Sequence, residues 1–240
     1  LTGAGFAAKM GARVALVERD RVGGDCTWSG CVPSKTFLKS ARVAHHMRTA
    51  DRFGLSPQVP EVDLQEVMAH VHEVVRETYE GETPEVLRAQ GTDVYLGEAR
   101  FVDSHTLSVG QTKLKARNVV LCTGAHPFIP PIDGLDDVEY HTYQTIWDLD
   151  TLPEHLLVVG AGPIGCELSQ GFRQLGSEVT VVEFGSRVLR RDEPEASETL
   201  ESVFREEGIE FHFDAHAEKV WREGGEIHLL AGEDECVGDA

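Results

Sequence analysis

The residues in this chain best suited to chemistry stand close together near its start. Gly23-Gly24-Asp25-Cys26-Thr27-Trp28-Ser29-Gly30-Cys31-Val32-Pro33-Ser34-Lys35 holds two cysteines five positions apart, behind a glycine pair and ahead of an apolar helical pattern. On a regular helix, residues five apart are turned by roughly 140° and separated by about 7.5 Å along the axis. A disulfide needs Cα atoms about 4.4–6.8 Å apart, so a regular helix cannot carry this bridge. If Cys26 lies in a distorted entry turn that Gly30 relieves, the two sulfurs can close a small ring at the start of a helix. The N–H groups and dipole there favour thiolate. The competing reading is a pair of buried structural cysteines. Five cysteines are an odd number, which argues against a stapling framework of disulfides. Cys122, Cys166 and Cys236 sit in unrelated contexts, so no zinc site and no other metal ligands are expected.

A second chemical motif lies past the middle of the chain. Leu156–Gly160 reads as a strand, and Gly160-Ala161-Gly162-Pro163-Ile164-Gly165 opens a helix after it. A further strand follows and ends in Glu183, eighteen residues after the last glycine. In such a βαβ unit the backbone N–H groups and helix dipole face a pyrophosphate, and the acid accepts hydrogen bonds from a ribose. Glu183 favours NADH, because a carboxylate there repels a 2′-phosphate; Arg187, Arg190 and Arg191 pull the other way. Leu1–Glu18 repeats this unit in part. At a constant offset of 165, Gly11 falls on Gly176, Val14 on Val179, Val17 on Val182 and Glu18 on Glu183. The same offset puts the repeat's third glycine just before Leu1, so its first strand and glycine loop are expected to be missing.

The elements that must position these motifs are legible around them. The cysteine helix is expected to run to about Arg48, and a Pro- and Gly-containing connection covers 51–60. Asp63 and Glu66 form a capping box for a long amphipathic helix, interrupted near Gly81 and ending at Gly91. His45, His46, His70 and His72 lie on these helices as two close pairs, without the i,i+3 or i,i+4 spacing of a metal face. Val94–Phe101, Thr106–Val109 and Lys113–Lys115 alternate like strands. Asn118–Cys122 reads as a buried strand delivering Thr123-Gly124-Ala125, where small residues let a ligand approach the backbone. After a linker at 141–150 and the second unit come a helix at 193–207, a strand at 209–213 and a hairpin at 219–230 turning on Gly224-Gly225.

Composition bounds the partners. The 240 residues carry a formal charge of −19, which disfavours nucleic acid and anionic membrane surfaces. No apolar run approaches the ~18 residues of a membrane span. The first residues lack the basic stretch and cleavage pattern of a secretory signal, so a soluble, cytoplasmic protein is expected.

Gly-Gly-x-Cys-x4-Cys-Val-Pro-Ser-Lys, taken with the Thr-Gly-Ala turn and the later glycine loop, resembles the flavin-dependent pyridine nucleotide–disulfide oxidoreductases. That family includes dihydrolipoamide dehydrogenase, glutathione reductase and mercuric reductase. The resemblance covers nearly the whole chain and implies an α/β fold of two Rossmann-like dinucleotide-binding domains. Each has a parallel sheet with helices and an antiparallel meander, and both are incomplete. Residues 1–148 would hold FAD and 149–240 NAD(P)H; a C-terminal dimerisation domain, through which such enzymes are homodimers, would be absent. Reduced nicotinamide would pass hydride to FAD, and FAD would reduce a Cys26–Cys31 disulfide. By the same resemblance, Cys31 lies next to the flavin and Cys26 exchanges with substrate. Lys35 approaches the flavin, Glu167 pairs with Lys35, Glu18 binds the adenosine ribose of FAD, and Gly24 and Thr123-Gly124-Ala125 touch the flavin nucleotide. Gly160, Gly162, Pro163, Ile164, Gly165 and Glu183 would hold the nicotinamide nucleotide. Pro163 stands where some family members carry an aromatic gate. The stretch Asp25-Cys26-Thr27-Trp28-Ser29-Gly30 departs from the family's commoner Thr-Cys-(Leu/Val)-Asn-(Val/Ile)-Gly and is most similar to mercuric-reductase-like members. A small disulfide or a metal ion is the expected acceptor. A glutathione-reductase-type enzyme, a dinucleotide-binding fragment without catalysis and a flavin-free thiol carrier are the alternatives. The 240 residues alone are expected to have negligible reductase activity.

Overall fold

In chain order the computed structural model, which describes residues 1–240, begins with helix α1 (Thr2–Lys9), strand β1 (Val14–Glu18) and a short helix α2 (Gly24–Trp28). Helices α3 (Cys31–Arg48), α4 (Leu64–Glu80) and α5 (Pro84–Ala89) follow. Strands β2 (Thr92–Leu96), β3 (Ala99–Asp103), β4 (Thr106–Val109) and β5 (Thr112–Lys115) come next. After a long irregular stretch come β6 (His155–Val159), α6 (Pro163–Leu175), β7 (Glu178–Val182), α7 (Pro194–Glu206) and β8 (Ile209–His212). Three strands close the chain: β9 (Ala217–Glu223), β10 (Glu226–Ala231) and β11 (Asp234–Gly238). The residues group into two compact units, Leu1–Val32 with Glu73–His126, and Pro33–His72 with Pro127–Ala240.

The first unit combines a parallel pair with an antiparallel meander. Strand β1 pairs with β2 from Val14 opposite Thr92 to Glu18 opposite Leu96. Strands β3, β4 and β5 form a separate antiparallel sheet in that order. The run 94–101, which alternates like one strand, is thus two: Gly97, at φ 141°, turns the chain out of the parallel ladder and into the meander. Val22, Leu87 and Val94 are the buried centre of this unit, with Leu16 and Tyr79 packed on them. The expected strand at 118–122 does not form. Residues 116–131 are irregular, and Val120 and Leu121 are 83% and 68% exposed. A strand exists through the ladder it shares with a neighbour, and this apolar run joins none of the four sheets.

The second unit repeats the combination on a larger scale. Strands β6, β7 and β8 lie parallel with β7 in the middle, and Val179, Thr180, Val181 and Val182 of β7 are all buried. A central strand covered on both faces needs such a continuous β-branched run. Strands β9, β10 and β11 form the meander, and β11 is an element that the sequence reading did not resolve. Phe37 is the hub of the core: fully buried, it packs against Phe172 at 4.9 Å and edge-on to Trp147 at 5.9 Å between ring centroids. Gly171 makes room for it, since a side chain there would collide with the Phe37 ring. Ile146 and Trp147 are buried too, so the 141–150 segment is a packed part of this unit. Helix α4 starts just after Asp63, whose carboxylate accepts from the Gln65 N–H at 2.9 Å.

Truncating the hub should be expensive. Phe37→Ala is expected to cost about 3–5 kcal/mol of stability. Urea unfolding followed by tryptophan fluorescence would read this as a lower midpoint at unchanged slope; a loss under 1 kcal/mol would contradict the packing described.

Candidate redox site

The two cysteines sit on either side of a helix break. Cys26 is in α2, and the N–H groups of Ser29 and Gly30 both donate to the Asp25 carbonyl, ending that helix after one turn. The chain then restarts as α3 at Cys31, with Pro33 in the first turn, where a missing N–H costs nothing. Gly30 is required by contact rather than by dihedral angle: a Cβ there would lie 2.8 Å from the Asp25 carbonyl oxygen. Gly23, at φ 114°, is required on both counts, because its Cβ would press on Thr27 and on the Trp28 ring nitrogen. Trp28 braces the turn by donating its indole N–H to the Val22 carbonyl at 2.8 Å. The Tyr79 ring packs against it, tilted by 52°, at 4.9 Å between centroids, and the Arg21 guanidinium lies 4.3 Å over its ring.

This break brings the two side chains into contact. Both cysteines are exposed, in the dithiol state. Cys26 donates a hydrogen bond to the Cys31 sulfur, which with partial burial and the Glu82 charge pushes the Cys26 thiol up, while the Cys31 backbone N–H pulls the other way. Cys166 and Cys236 are buried and differ in kind; burial, with Glu183 and Glu167 nearby, pushes the Cys166 thiol up to about 11. Cys122 is exposed on the irregular 116–131 stretch.

Around the thiols, the first unit presents further candidate residues. Glu18 ends β1 and accepts from the Asp20 N–H at 2.8 Å. Gly24, at φ 60°, has nothing within 4 Å of where a side chain would start. Thr123, Gly124 and Ala125 are exposed, and Gly124, at φ 70°, has only the Asp25 carboxylate near it, 4.0 Å from a built Cβ. The small-residue turn therefore lies beside the helix that carries Cys26.

In the second unit, Lys35 and Glu167 meet. The Lys35 ammonium lies 2.6 and 2.7 Å from the two Glu167 carboxylate oxygens. Their side chains are 60% and 38% exposed, so solvent screens the pair and it contributes little to stability. Lys35 follows Cys31 by four residues along α3, and Glu167 lies in the early turns of α6.

The glycine loop before α6 is an open cradle. Gly160 sits at φ 106°, and nothing lies within 4 Å of a Cβ on Gly160 or Gly162. Gly165 is the close-packed one, since a side chain there would run into the Gly160 carbonyl oxygen. Gly162 caps α6 without any side-chain hydrogen bond, and Pro163 and Ile164 in its first turn are exposed. The first N–H groups of this helix thus have no side-chain cap, an arrangement that suits an anion. Glu183, only 5% exposed, accepts from the Ala161 N–H and the Gly185 N–H, both at 2.7 Å. Its charge is thus fixed at the rim of the loop. Beyond it the Arg190 guanidinium lies 4.3 Å over the Phe184 ring, and His216 stacks on that ring at 5.9 Å. Arg187 donates to the carbonyls of Arg190 and Asp192.

Thr27, Tyr79 and Glu82 were not singled out from sequence. Thr27 donates to the Glu82 carboxylate at 2.6 Å across a separation of 55 residues, a span over which the sequence carries no local signal.

A family model described as pyridine nucleotide-disulphide oxidoreductase matches residues 1–239. The chain belongs to this family. Mercuric reductase of Lysinibacillus sphaericus is 38% identical over 221 residues, covering 92% of this chain and 40% of that protein. The flavoprotein disulfide reductase RclA of Escherichia coli superposes with a TM-score of 0.81 at 26% identity, over 100% of this chain and 52% of its own. LpdA of Mycobacterium tuberculosis gives 0.83 at 28%, over 98% and 53%. The chain thus spans about half the length of these proteins. Its parallel sheets, helices and antiparallel meanders are the family's α/β architecture. No helix is long and apolar enough to cross a membrane.

Thiol accessibility tests the placement of the cysteines. In native protein under reducing conditions, the three exposed cysteines, 26, 31 and 122, should titrate quickly with a chromogenic disulfide, and the buried Cys166 and Cys236 only after denaturation. Mild oxidation should remove two of the three fast thiols and yield a peptide in which Cys26 is bonded to Cys31. A Cys122 disulfide, or five fast thiols, would contradict the geometry.

Proposed function

We propose that this chain forms the cofactor-binding and thiol-bearing part of an FAD-dependent, NADH-using oxidoreductase that delivers electrons to a small disulfide or a metal ion. The observation that carries the reading is the exposed Cys26–Cys31 pair, hydrogen-bonded across a helix break, in a chain that also bears an open glycine loop with a fixed acid. Residues 1–148 serve as the FAD-binding domain and 149–240 as the nicotinamide-binding one. Bound nicotinamide and flavin supply the hydride donor and the ring that relays its two electrons.

The chain's own residues divide the remaining work. The N–H groups at the start of α6 hold the pyrophosphate, and Glu183 takes the ribose hydroxyls. Because that carboxylate is pinned by two backbone amides, it cannot swing away from a 2′-phosphate, which favours NADH. Arg187 is committed to backbone carbonyls and Arg190 to the Phe184 ring, which weakens the case for either as a phosphate partner. Glu18, Gly24 and Thr123–Ala125 line the FAD site. Lys35, oriented by Glu167, places a positive charge where negative charge develops on reduction. With a disulfide substrate, Cys26 as thiolate attacks one substrate sulfur and releases the other as a thiolate that takes up a proton. The Cys31 sulfur then attacks Cys26, the second substrate thiol leaves, and the 26–31 disulfide re-forms, ready for the next two electrons.

The relatives' name, mercuric reductase, makes a metal ion the first acceptor to try, with dihydrolipoamide-type and glutathione-type disulfides next. The whole protein is read as a cytoplasmic homodimer, in the compartment where thiols stay reduced. Assays on the whole, flavin-loaded protein with lipoamide, glutathione disulfide and mercuric ion test the reading. Cys26→Ser and Cys31→Ser should each reduce NADH-dependent turnover to background while leaving NADH affinity unchanged. Glu183→Ala should weaken NADH binding about tenfold to a hundredfold, the worth of one or two charge-assisted hydrogen bonds. Lys35→Met should slow turnover yet keep stability within about 1 kcal/mol. Turnover undiminished in either cysteine variant would overturn the proposal.

A further inference from the structure

Strand β11 begins with two neighbouring acids, Asp234 and Glu235, and each holds a histidine from a different strand. Successive residues of a strand point to opposite faces, so the two acids are engaged from opposite sides of the meander. On the inner side, where Cys236 of β11 is buried with Val220 and Leu229, the His212 ring of β8 lies between two carboxylates. Its Nδ1 is 3.0 Å from Asp234 and its Nε2 is 3.2 Å from Glu210. On the outer side, the Nδ1 of His228 on β10 is 2.7 Å from Glu235. The His228 ring stacks on Trp221 of β9, with 5.2 Å between centroids and 14° between planes. The two imidazoles are only 20% and 14% exposed, so solvent screens them less than it screens an open surface pair.

These contacts depend on protonation. A neutral imidazole has one N–H and one lone pair, and a carboxylate only accepts. His212 can therefore donate to Asp234 and Glu210 together only as imidazolium; without the second proton, a lone pair faces a carboxylate. At His228 the hydrogen bond to Glu235 outweighs burial and, with the Glu235 and Glu223 charges, holds the imidazole above its ordinary range. A charged ring is also favoured over the Trp221 face. We infer that β11 is a proton-operated latch: with His212 and His228 charged it is clasped to β8 and β10, and loss of those protons loosens it. A histidine raised in the folded state adds stability that is fully present below about pH 6.5 and is lost as pH rises through its folded value. The groups facing the two rings are Glu210 on β8, Asp234, Glu235 and the Cys236 thiol on β11, and Glu223 and Trp221 on β9. Lys219 lies 5.7 Å over the Trp221 ring. The latch bears on the glycine loop's sheet. Beyond β11, the Asp239 N–H donates to the His155 carbonyl at 3.0 Å and the Leu157 N–H to the Ala240 carbonyl at 2.7 Å, which ties the chain to β6. On the other side, the His212 carbonyl accepts the Glu183 N–H at 2.9 Å. The inference stands apart from the redox reading, because it concerns this unit's own cohesion.

The test is amide hydrogen exchange in the whole protein, read by mass spectrometry on β11 peptides at pH 5.5 and pH 8.5 and corrected for the intrinsic exchange rate at each pH. Protection of residues 234–238 should fall about tenfold from the lower to the higher pH, the worth of one charge-assisted hydrogen bond. A peptide from β7 should keep its protection. The double variant His212→Gln/His228→Gln, which cannot take up the second proton, should show the lower β11 protection at both pH values, and each single variant should lose part of the pH dependence. His155 faces Glu178 and Thr180 on β7, outside the latch, so His155→Gln should keep the wild-type fall. Equal β11 protection at the two pH values in wild type would overturn the inference, and that comparison needs no variant to fold. A tenfold fall that survives in the double variant, or that His155→Gln abolishes, would overturn it as well.

Discussion

One carbonyl group does what a continuous helix could not. The Asp25 oxygen accepts from both Ser29 and Gly30, which ends one helix and lets the next begin at Cys31. Two sulfurs that regular helical geometry would hold apart then come within hydrogen-bonding reach. The arrangement tolerates only glycine at position 30, because any side chain would strike the carbonyl that organises it. A break of this kind is locally unfavourable, since it forgoes helical hydrogen bonds. Side chains from outside the loop compensate: Trp28 on the Val22 carbonyl and against Tyr79, and Thr27 on Glu82. The loop is held by contacts that are remote in sequence, which is how a reactive turn stays in one conformation.

The same logic separates function from stability elsewhere. An exposed ion pair is a poor stabiliser, yet Lys35 and Glu167 meet with both carboxylate oxygens within 2.7 Å of the ammonium. The stability of that unit lies instead in Phe37, Phe172 and the buried valines of β7. Glu183 shows the opposite case, a buried acid whose carboxylate is satisfied by the backbone amides of Ala161 in the glycine loop and of Gly185 just after β7.

What was legible in the sequence was whatever had a local cause. The cysteine helix, the glycine loop, the acid after β7 and the hairpin at Gly224-Gly225 follow from periodicity and turn chemistry. The partial repeat is visible in the structure as well: α1 and α6 are each followed by a glycine at positive φ, Gly11 and Gly176, and then by a strand. What failed depended on neighbours. The alternation over 94–101 hid the break at Gly97, because period two is the same before and after a change of sheet. The apolar run at 118–122 looked like a strand but has no partner to pair with. Glu82 was invisible because its meaning comes from Thr27, which folding alone brings to it.

The measurement that bears most directly on the account is a single-turnover thiol count. The oxidised, FAD-loaded protein is mixed anaerobically with one equivalent of NADH, quenched with an alkylating reagent, and mapped by mass. Two new thiols, on Cys26 and Cys31 and dependent on the flavin, are the predicted result. An unchanged disulfide, or thiols that form equally well without FAD, would contradict it.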